Sequence, residues 1–480
     1  MIKTMLALRP ELSNQAILSY FTRPDRDLNH RLIGQIAGGA WPDILPAAIG
    51  PTLAYMARYL GQSLVASGFI EEEEPLSVPT RLATLNVRWW PVGQGLFMSG
   101  RLEAKSGDRF NWVYDCGSSS GAKERDKAIT RYRKQLGANP IDLLVLSHFD
   151  RDHINGIIAL ILGLKVRTLL LPYVPLWQRL LIAAGQEVAE DEALFTFYVD
   201  PAGYLSGLEG VRIDEIVFVP GAGPDDVVPG PEDAPDPERG IEGAKPEYGP
   251  PPPGSEDDPA IAHAPSVSIH VLKPRGRILV PALWEFVPYN DASMQPHATA
   301  TFIRRASWVA KFFLAHPARR KAALKTLKRI YQRAFGSGPV PANLISLFLY
   351  SGPIERRIAF ETIAATAPIG NDRARDNLAQ LATGDGYLDT PTRLNALRHV
   401  LSPARMDRAG LFQVMHHGAR PNWHVGLAAV VKPAASIISS DPGYTHGHPD
   451  ADVLRDFWPW HPVRVDKSEG FEIVAMLQVP

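Results

Sequence analysis

The sequence predicts an α/β protein preceded by a small helical module, and three observations carry that reading. Apolar residues recur at helical spacing through roughly the first 70 positions. From Leu82 the pattern changes to short β-branched and aromatic runs bounded by Gly, Pro or Asp. Beyond the segment around residue 150, strand-like and helix-like stretches alternate, as they do where a sheet is covered by helices.

Composition sets the limits. The chain has 480 residues, 45% of them hydrophobic and 21% charged, which allows two or three domains with a sizeable core. A net charge of -1 says nothing about an anionic partner for the chain as a whole. The single cysteine, Cys116, excludes an intrachain disulfide and any cysteine-based zinc site, and it fits a reducing cytoplasm, the expected location. Residues 1–11 lack a basic region followed by an apolar core. No stretch approaches the unbroken apolar length of a membrane span, so no membrane partner is expected.

In chain order, residues 16–21, 28–37 and 53–65 carry the helical periodicity, and residues 1–75 form the expected first module. The basic, turn-rich run 21–31 reads either as a weak helix-turn-helix entry or as part of a packing or dimerisation cap. Glu71 to Glu74 and Pro75 make a solvated junction to a second domain at 81–480. Strands are expected at 84–92, 95–98 and 112–114, the third ending in Asp115-Cys116-Gly117.

The apolar run 141–146 leads into Ser147-His148-Phe149-Asp150-Arg151-Asp152-His153, which places four potential ligands within six residues. Asp152 and His153 then open a helix, whose N-terminal dipole favours Asp152 as an anion. Two imidazoles and two carboxylates on one tight turn can converge on more than one divalent cation. A helix to about residue 162, a strand at 166–171 and a helix from about 176 follow.

Two insertions interrupt this alternation. Residues 221–263 are acidic and broken throughout by Pro and Gly, so they are expected to bury no core and to form a mobile loop. Strand patterns return at 266–272 and 277–280, and the second insertion, 292–338, is basic and helical. No acid occurs between 292 and 354, while Arg304, Arg305, Lys311, Arg319, Arg320, Lys321, Lys325, Lys328, Arg329 and Arg333 cluster with Trp308, Phe312, Phe313 and Tyr331. This is either a face for DNA or RNA, with Arg319, Arg320, Lys321, Lys325 and Arg329 as contacts, or an amphipathic insertion with a solvated basic side.

The His148-to-His153 run resembles the HxDxDH signature of the metallo-β-lactamase superfamily. It is most similar to the hydrolase domain of ComEC-like DNA-uptake proteins, where an Asp commonly replaces the second His. The run Val92-Gly93-Gln94-Gly95, then Thr383-Gly384-Asp385, His416-His417-Gly418 and His448-Pro449 continue the likeness in order over residues 81–480. Pro91 and Leu96 stand where ComEC-like sequences carry Asp, and His446 has no counterpart.

The resemblance implies a metallo-β-lactamase-like αββα sandwich binding two divalent metal ions, Zn or Mn, with Mg possible. The implied ligands are His148, Asp150, Asp152, His153, the bridging Asp385 and His417, with His416 as a neighbour. Catalytic roles fall to Asp152 and to His448, a proton or hydrogen-bond donor. Asp115 is either the partner that orients a ligand histidine or a turn residue. Ser440 belongs to the substrate loop. Asn343 sits where many members carry a third histidine, which leaves one site poorer in nitrogen and inclined towards Mn²⁺ or Mg²⁺. The implied activity is that of a phosphodiesterase or nuclease using metal-activated water. Two other readings stand beside it: hydrolysis of a small ester, lactone or cyclic nucleotide, and a regulatory or binding protein with a degraded site.

Overall fold

In the computed structural model, residues 1–8, 13–19, 30–49, 52, 80–185, 188, 193–223, 226–229, 241, 243–256, 258–261, 267–294, 299–335, 345–354, 358–370, 377–445 and 447–479 are described. The chain divides into two units, Met1–Val78 and Pro79–Pro480. In the first, helices Ile2–Leu8, Asn14–Ser19 and His30–Ala37 bury Met5, Ile17 and Ile33. The expected helix at 53–65 and most of the basic run 21–31 lie outside the described residues.

The second unit is α/β, with helices and two mixed sheets. Its strands are β1 (Thr80–Trp89), β2 (Phe97–Ala104), β3 (Arg109–Cys116), β4 (Ile141–Val145), β5 (Lys165–Pro172), β6 (Arg212–Val219), β7 (Lys245–Pro246), β8 (Tyr248–Gly249), β9 (Ser268–Leu272), β10 (Ile278–Val280), β11 (Trp284–Asn290), β12 (Leu347–Pro353), β13 (Ala359–Ala365), β14 (Gln380–Ala382), β15 (Leu411–Gln413), β16 (Ala435–Ser439), β17 (Pro462–Val465) and β18 (Phe471–Val479). One sheet runs β13-β18-β1-β2-β3-β4-β5-β6-β9-β8, and the other runs β17-β16-β15-β14-β12-β11-β10-β7. In the first sheet β3, β4, β5, β6 and β9 are parallel neighbours; in the second, β14 to β17 are.

Residue pattern explains which strands lie inside. Every residue of β4 is buried, as a continuous apolar run in a parallel sheet requires, and its one acid, Asp142, accepts the Asn111 amide at 2.8 Å. Strand β18 alternates between buried and half-buried positions up to Gln478, so one face only is fully covered. Leu85, Val87, Trp112 and Leu143 of the first sheet join Trp284, Phe286, Leu411 and Ile437 of the second in one apolar cluster. A second cluster joins the first sheet to helices including Ala122–Leu136, Leu176–Gly185 and Ala300–Ala315, and a third joins the second sheet to Pro391–Leu401 and Ala451–Phe457.

The expectation of a coreless loop at 221–263 is corrected where the segment is described. Val228 and Ala260 are buried in apolar clusters, and β7 and β8 pair with β10 and β9. Asp258 is buried against Arg179: the guanidinium reaches both its oxygens, at 2.7 and 3.2 Å, and also bonds the carbonyls of Val174, Tyr198 and Val199. Asp226 accepts the Gly223 amide at 2.8 Å and faces Arg275 at 3.5 Å. Acidity therefore does not mean exposure here, because cations from distant parts of the chain receive the carboxylates.

The basic insertion forms helices Ala300–Ala315 and Arg320–Phe335. Arg319, Lys321, Lys325 and Arg329 are exposed, but Arg320 is half-buried, with its guanidinium 5.2 Å from the Phe313 ring centre. Phe313 and Tyr331 are core residues, which leaves Trp308 and Phe312 as the aromatics nearer solvent.

Candidate metal centre

Parallel strands deliver the chemistry to one place. His148 to His153 follow β4, Asp385 follows β14, His416 and His417 follow β15, and His448 lies beyond β16, all past the carboxyl ends of strands where open α/β sheets form their crevices. The resulting pocket, of about 350 Å³, is lined by Asp150, Asp152, Asp385, His416, His417 and His448, with Gln94 and Tyr444 at its wall.

Within it, Asp152, His153, Asp385 and His417 bring one ligand atom each to within 4.8 Å of one another, and His148, Asp150 and Asp385 do the same. The two oxygens of Asp385 face different groups. Oδ1 lies 3.2 Å from His153 Nε2 and 3.8 Å from His417 Nε2, whereas Oδ2 lies 3.5 Å from His148 Nε2 and 3.4 Å from His416 Nε2. Asp152 Oδ2 is 3.4 Å from His417 Nε2, and Asp150 Oδ2 is 3.7 Å from His148 Nε2. Donors on one tetrahedral cation at ordinary bond lengths stand about 3.4 Å apart.

Hydrogen bonds turn the ring nitrogens towards that cage. His153 Nδ1 meets Asp115 Oδ2 at 2.7 Å, His417 Nδ1 meets the Ser439 carbonyl at 2.6 Å, and His148 Nδ1 meets Ser147 Oγ at 2.7 Å. Ser147 donates to Asp115 Oδ2 at 2.6 Å, and Asp115 Oδ1 accepts the Ser147 amide at 2.7 Å. Asp115 thus lies beneath the histidines and fixes them, the arrangement that orients metal-ligating imidazoles. The three opposite nitrogens, Nε2 of His148, His153 and His417, are buried and make no hydrogen bond. Each instead faces a carboxylate oxygen at 3.2 to 3.5 Å, and buried nitrogens that face carboxylates without a hydrogen bond call for an explanation, which a cation seated among them supplies. These buried His and Asp clusters can hold metal ions.

The ionisation of the cage follows from burial and mutual charge. Burial raises the pKa of Asp150 to about 6, with the His148 charge working against it. Burial also opposes ionisation of Asp152, but His417, 3.4 Å away, and His153 outweigh it and hold its pKa at about 2. For Asp385, burial is overcome by His416, His153 and His148, and its carboxyl sits well below the usual range. His153 and His417 shift the other way: burial disfavours the imidazolium, yet Asp385 and Asp115 raise His153, and Asp152 raises His417. A metal must therefore displace protons from Asp150, His153 and His417, so affinity should climb as pH rises through about 6 and above. Calorimetric titration of the metal-free chain with Zn²⁺ near pH 6, in two buffers of different ionisation enthalpy, should show net proton release; buffer-independent heats would contradict this.

The supporting backbone is unusual. Asp115, His416 and His417 all have positive φ, at 55°, 46° and 59°. Such conformations in non-glycine residues cost about 1 kcal/mol or more each and gather at functional sites. Gly95 and Gly117 pack against the back of the metal loop, where a Cβ would approach the Asp152 carbonyl to 2.9 and 2.3 Å respectively. That contact accounts for the glycine ending the run at 92–95.

Other expected site residues fare differently. Ser440 is fully buried, its amide bonds the Val465 carbonyl at 2.9 Å, and it does not line the pocket, because β16 carries it into the interior. His448 does line the pocket, with Nδ1 3.6 Å from Asp450 Oδ2 and its ring 6.1 Å from that of His416. Asn343 and His446 lie outside the described residues.

Sequence reasoning missed three residues that hold the ligands. Gln413 Oε1 accepts the amides of Thr383 and Gly384 at 2.7 and 2.8 Å, and Ser346 Oγ accepts the Asp385 amide at 3.1 Å. Asn422 bonds both His416 Nδ1 and the Asp385 carbonyl, at 2.9 and 2.8 Å. A glutamine ending the otherwise apolar β15 was the available signal, since a buried amide needs partners.

A scan against protein-family models finds no match to this chain, and a search of curated proteins finds none either.

Proposed function

We propose that the chain is a metallo-β-lactamase-type αββα hydrolase that cleaves phosphodiesters, with nucleic acid as its substrate. The observation that carries this reading is Asp385 with its two oxygens turned to two histidine-carboxylate groups, as in a bridging carboxylate between two cations. Asp152, His153 and His417 would hold one ion, and His148 and Asp150 the other, with His416 beside the second at the pocket mouth. When bound, a pair of divalent cations supplies Lewis acidity that activates water as the nucleophile and offsets charge on the phosphoryl oxygens. The donor set, rich in carboxylate and imidazole and without thiolate, suits Zn²⁺ or Mn²⁺ and admits Mg²⁺.

The chain's own residues do the rest. Asp115 keeps His153 in the tautomer that presents Nε2. His448, at the pocket wall beside the Asp450 carboxylate, is placed to give a proton to the departing oxygen. His416, with 29% of its side chain exposed and Nδ1 tied to Asn422, lines the pocket with Nε2 3.4 Å from Asp385 Oδ2, where an imidazole can meet the phosphoryl group. The exposed Lys321, Lys325 and Arg329 share one face of helix Arg320–Phe335, where a polyanion would find them.

A second reading, hydrolysis of a small ester, lactone or cyclic nucleotide, draws on one observation. A separate cavity of about 860 Å³, lined by Trp458, Leu454, Ile438 and Pro449, shares His448 with the metal pocket and has room for an apolar leaving group. The test is hydrolysis of labelled single-stranded and duplex DNA, of RNA and of small chromogenic esters with Mn²⁺ or Zn²⁺. Nucleic-acid cleavage lost on chelation supports the proposal, and turnover confined to small esters selects the second reading. Binding to DNA in the triple variant Lys321→Ala, Lys325→Ala, Arg329→Ala should lose about two (single strand) to three (duplex) units of its logarithmic salt slope. An unchanged slope would make that face merely solvated.

A further inference from the structure

Helix Ala300–Ala315 has two faces with different fates. Phe302, Ala306, Val309, Ala310 and Phe313, which fall on one face at helical spacing, are buried. Phe302 packs edge-on to Trp177 at 5.1 Å and Phe313 lies 5.4 Å from Phe195, so the inner face is accounted for by the core. On another face Trp308 is 66% exposed, a large area for an indole to leave in water. It does not stand alone. Its ring stacks on Phe312, with centres 5.6 Å apart and planes 23° off parallel, and Phe312 stacks on His316 at 4.2 Å and 21°. Residues 308, 312 and 316 follow one another at four-residue intervals and form a ladder along the helix.

Charge flanks the ladder on both sides. Helical spacing puts Arg304 at the end of the row, one turn before Trp308, and Arg305 and Lys311 on either side of it, all three exposed. No carboxylate occurs between residues 292 and 354. The rings cover one another's inner faces, but the outer face of Trp308 is open and lies among cations, which matches an unpaired nucleic-acid strand, whose bases stack on aromatics while its phosphates meet arginine and lysine. Duplex bases cover one another's faces and offer no such contact. An acidic protein partner would satisfy the cations but has no use for three rings in register.

We infer that Trp308, Phe312 and His316, edged by Arg304, Arg305 and Lys311, form a stacking platform for single-stranded DNA or RNA. The inference rests on the reading of the chain as a nucleic-acid hydrolase and names the strand form it takes. Binding is measured on the full chain in EDTA, so that no cleavage occurs, by anisotropy of a labelled oligo-dT and of a labelled duplex of matched length. Trp308→Ala should weaken oligo-dT binding on the order of tenfold and change duplex binding less than about twofold. Trp308→Phe should retain most of the affinity, and Arg304→Gln with Arg305→Gln should weaken both ligands and flatten their salt dependence. Oligo-dT affinity unchanged in a cooperatively melting Trp308→Ala variant would overturn the platform, as would equal losses on both ligands. A fall in the sedimenting mass of the chain on that substitution would also overturn it, by assigning the face to self-association. Metal-dependent turnover of a small chromogenic phosphodiester by the wild-type chain tests the hydrolase reading by itself, so either idea can fail without the other.

Discussion

Asp385→Ala is expected to lower phosphodiester hydrolysis by more than about a hundredfold while the chain still folds. Removing partners that merely orient metal ligands costs 10- to 100-fold in many sites, and Asp385 faces both ligand groups directly. Its side chain ends a strand at a pocket and fills no apolar core, so its loss opens no hydrophobic cavity. Asp385→Asn keeps the shape and removes the charge. It should be nearly as inactive, because His148, His153 and His416 then face a neutral amide. Activity within about tenfold of wild type in either variant would remove Asp385 from the centre.

Asp258→Ala carries the largest expected effect on stability, about 3–5 kcal/mol. The Arg179 guanidinium is 1% exposed, and Asp258 is the carboxylate it bonds, at 2.7 Å, with the Asp200 charge acting from farther off. Removing that partner leaves a buried positive charge hydrogen-bonded by carbonyls and without a carboxylate in contact. Denaturant unfolding of the variant checks this. A loss under about 1 kcal/mol would mean that water or local rearrangement reaches Arg179 after the substitution. The pair also joins the 221–263 segment to helix Leu176–Gly185, and so to the core beside the metal loop, where Tyr198 donates to the Phe149 carbonyl at 2.5 Å.

That pair shows where reading the sequence stops. Asp258 and Arg179 are 79 positions apart, and no local periodicity marks either as buried, so an acidic, proline-rich segment reads as solvent-exposed. The ligand loop was legible for the opposite reason. His148, Asp150, Asp152 and His153 are adjacent in sequence, follow an apolar strand and need no distant information to stand out. Strand cores were legible as well, with ends shifted: the first begins at Thr80, not 84, and the second runs on to Ala104, because both continue pairing over residues that alternate in burial. Gln413, Ser346 and Asn422 were not legible as site residues. Their partners are mainly backbone amides and carbonyls of other segments, and backbone groups leave no trace in the sequence.

The direct test of the central claim is the metal content of the purified chain. After incubation with excess Mn²⁺ or Zn²⁺ and desalting, inductively coupled plasma mass spectrometry should find two ions per wild-type chain and less than one in Asp385→Ala. Background metal in the wild-type chain, or equal content in the two proteins, would contradict a dinuclear centre bridged by Asp385.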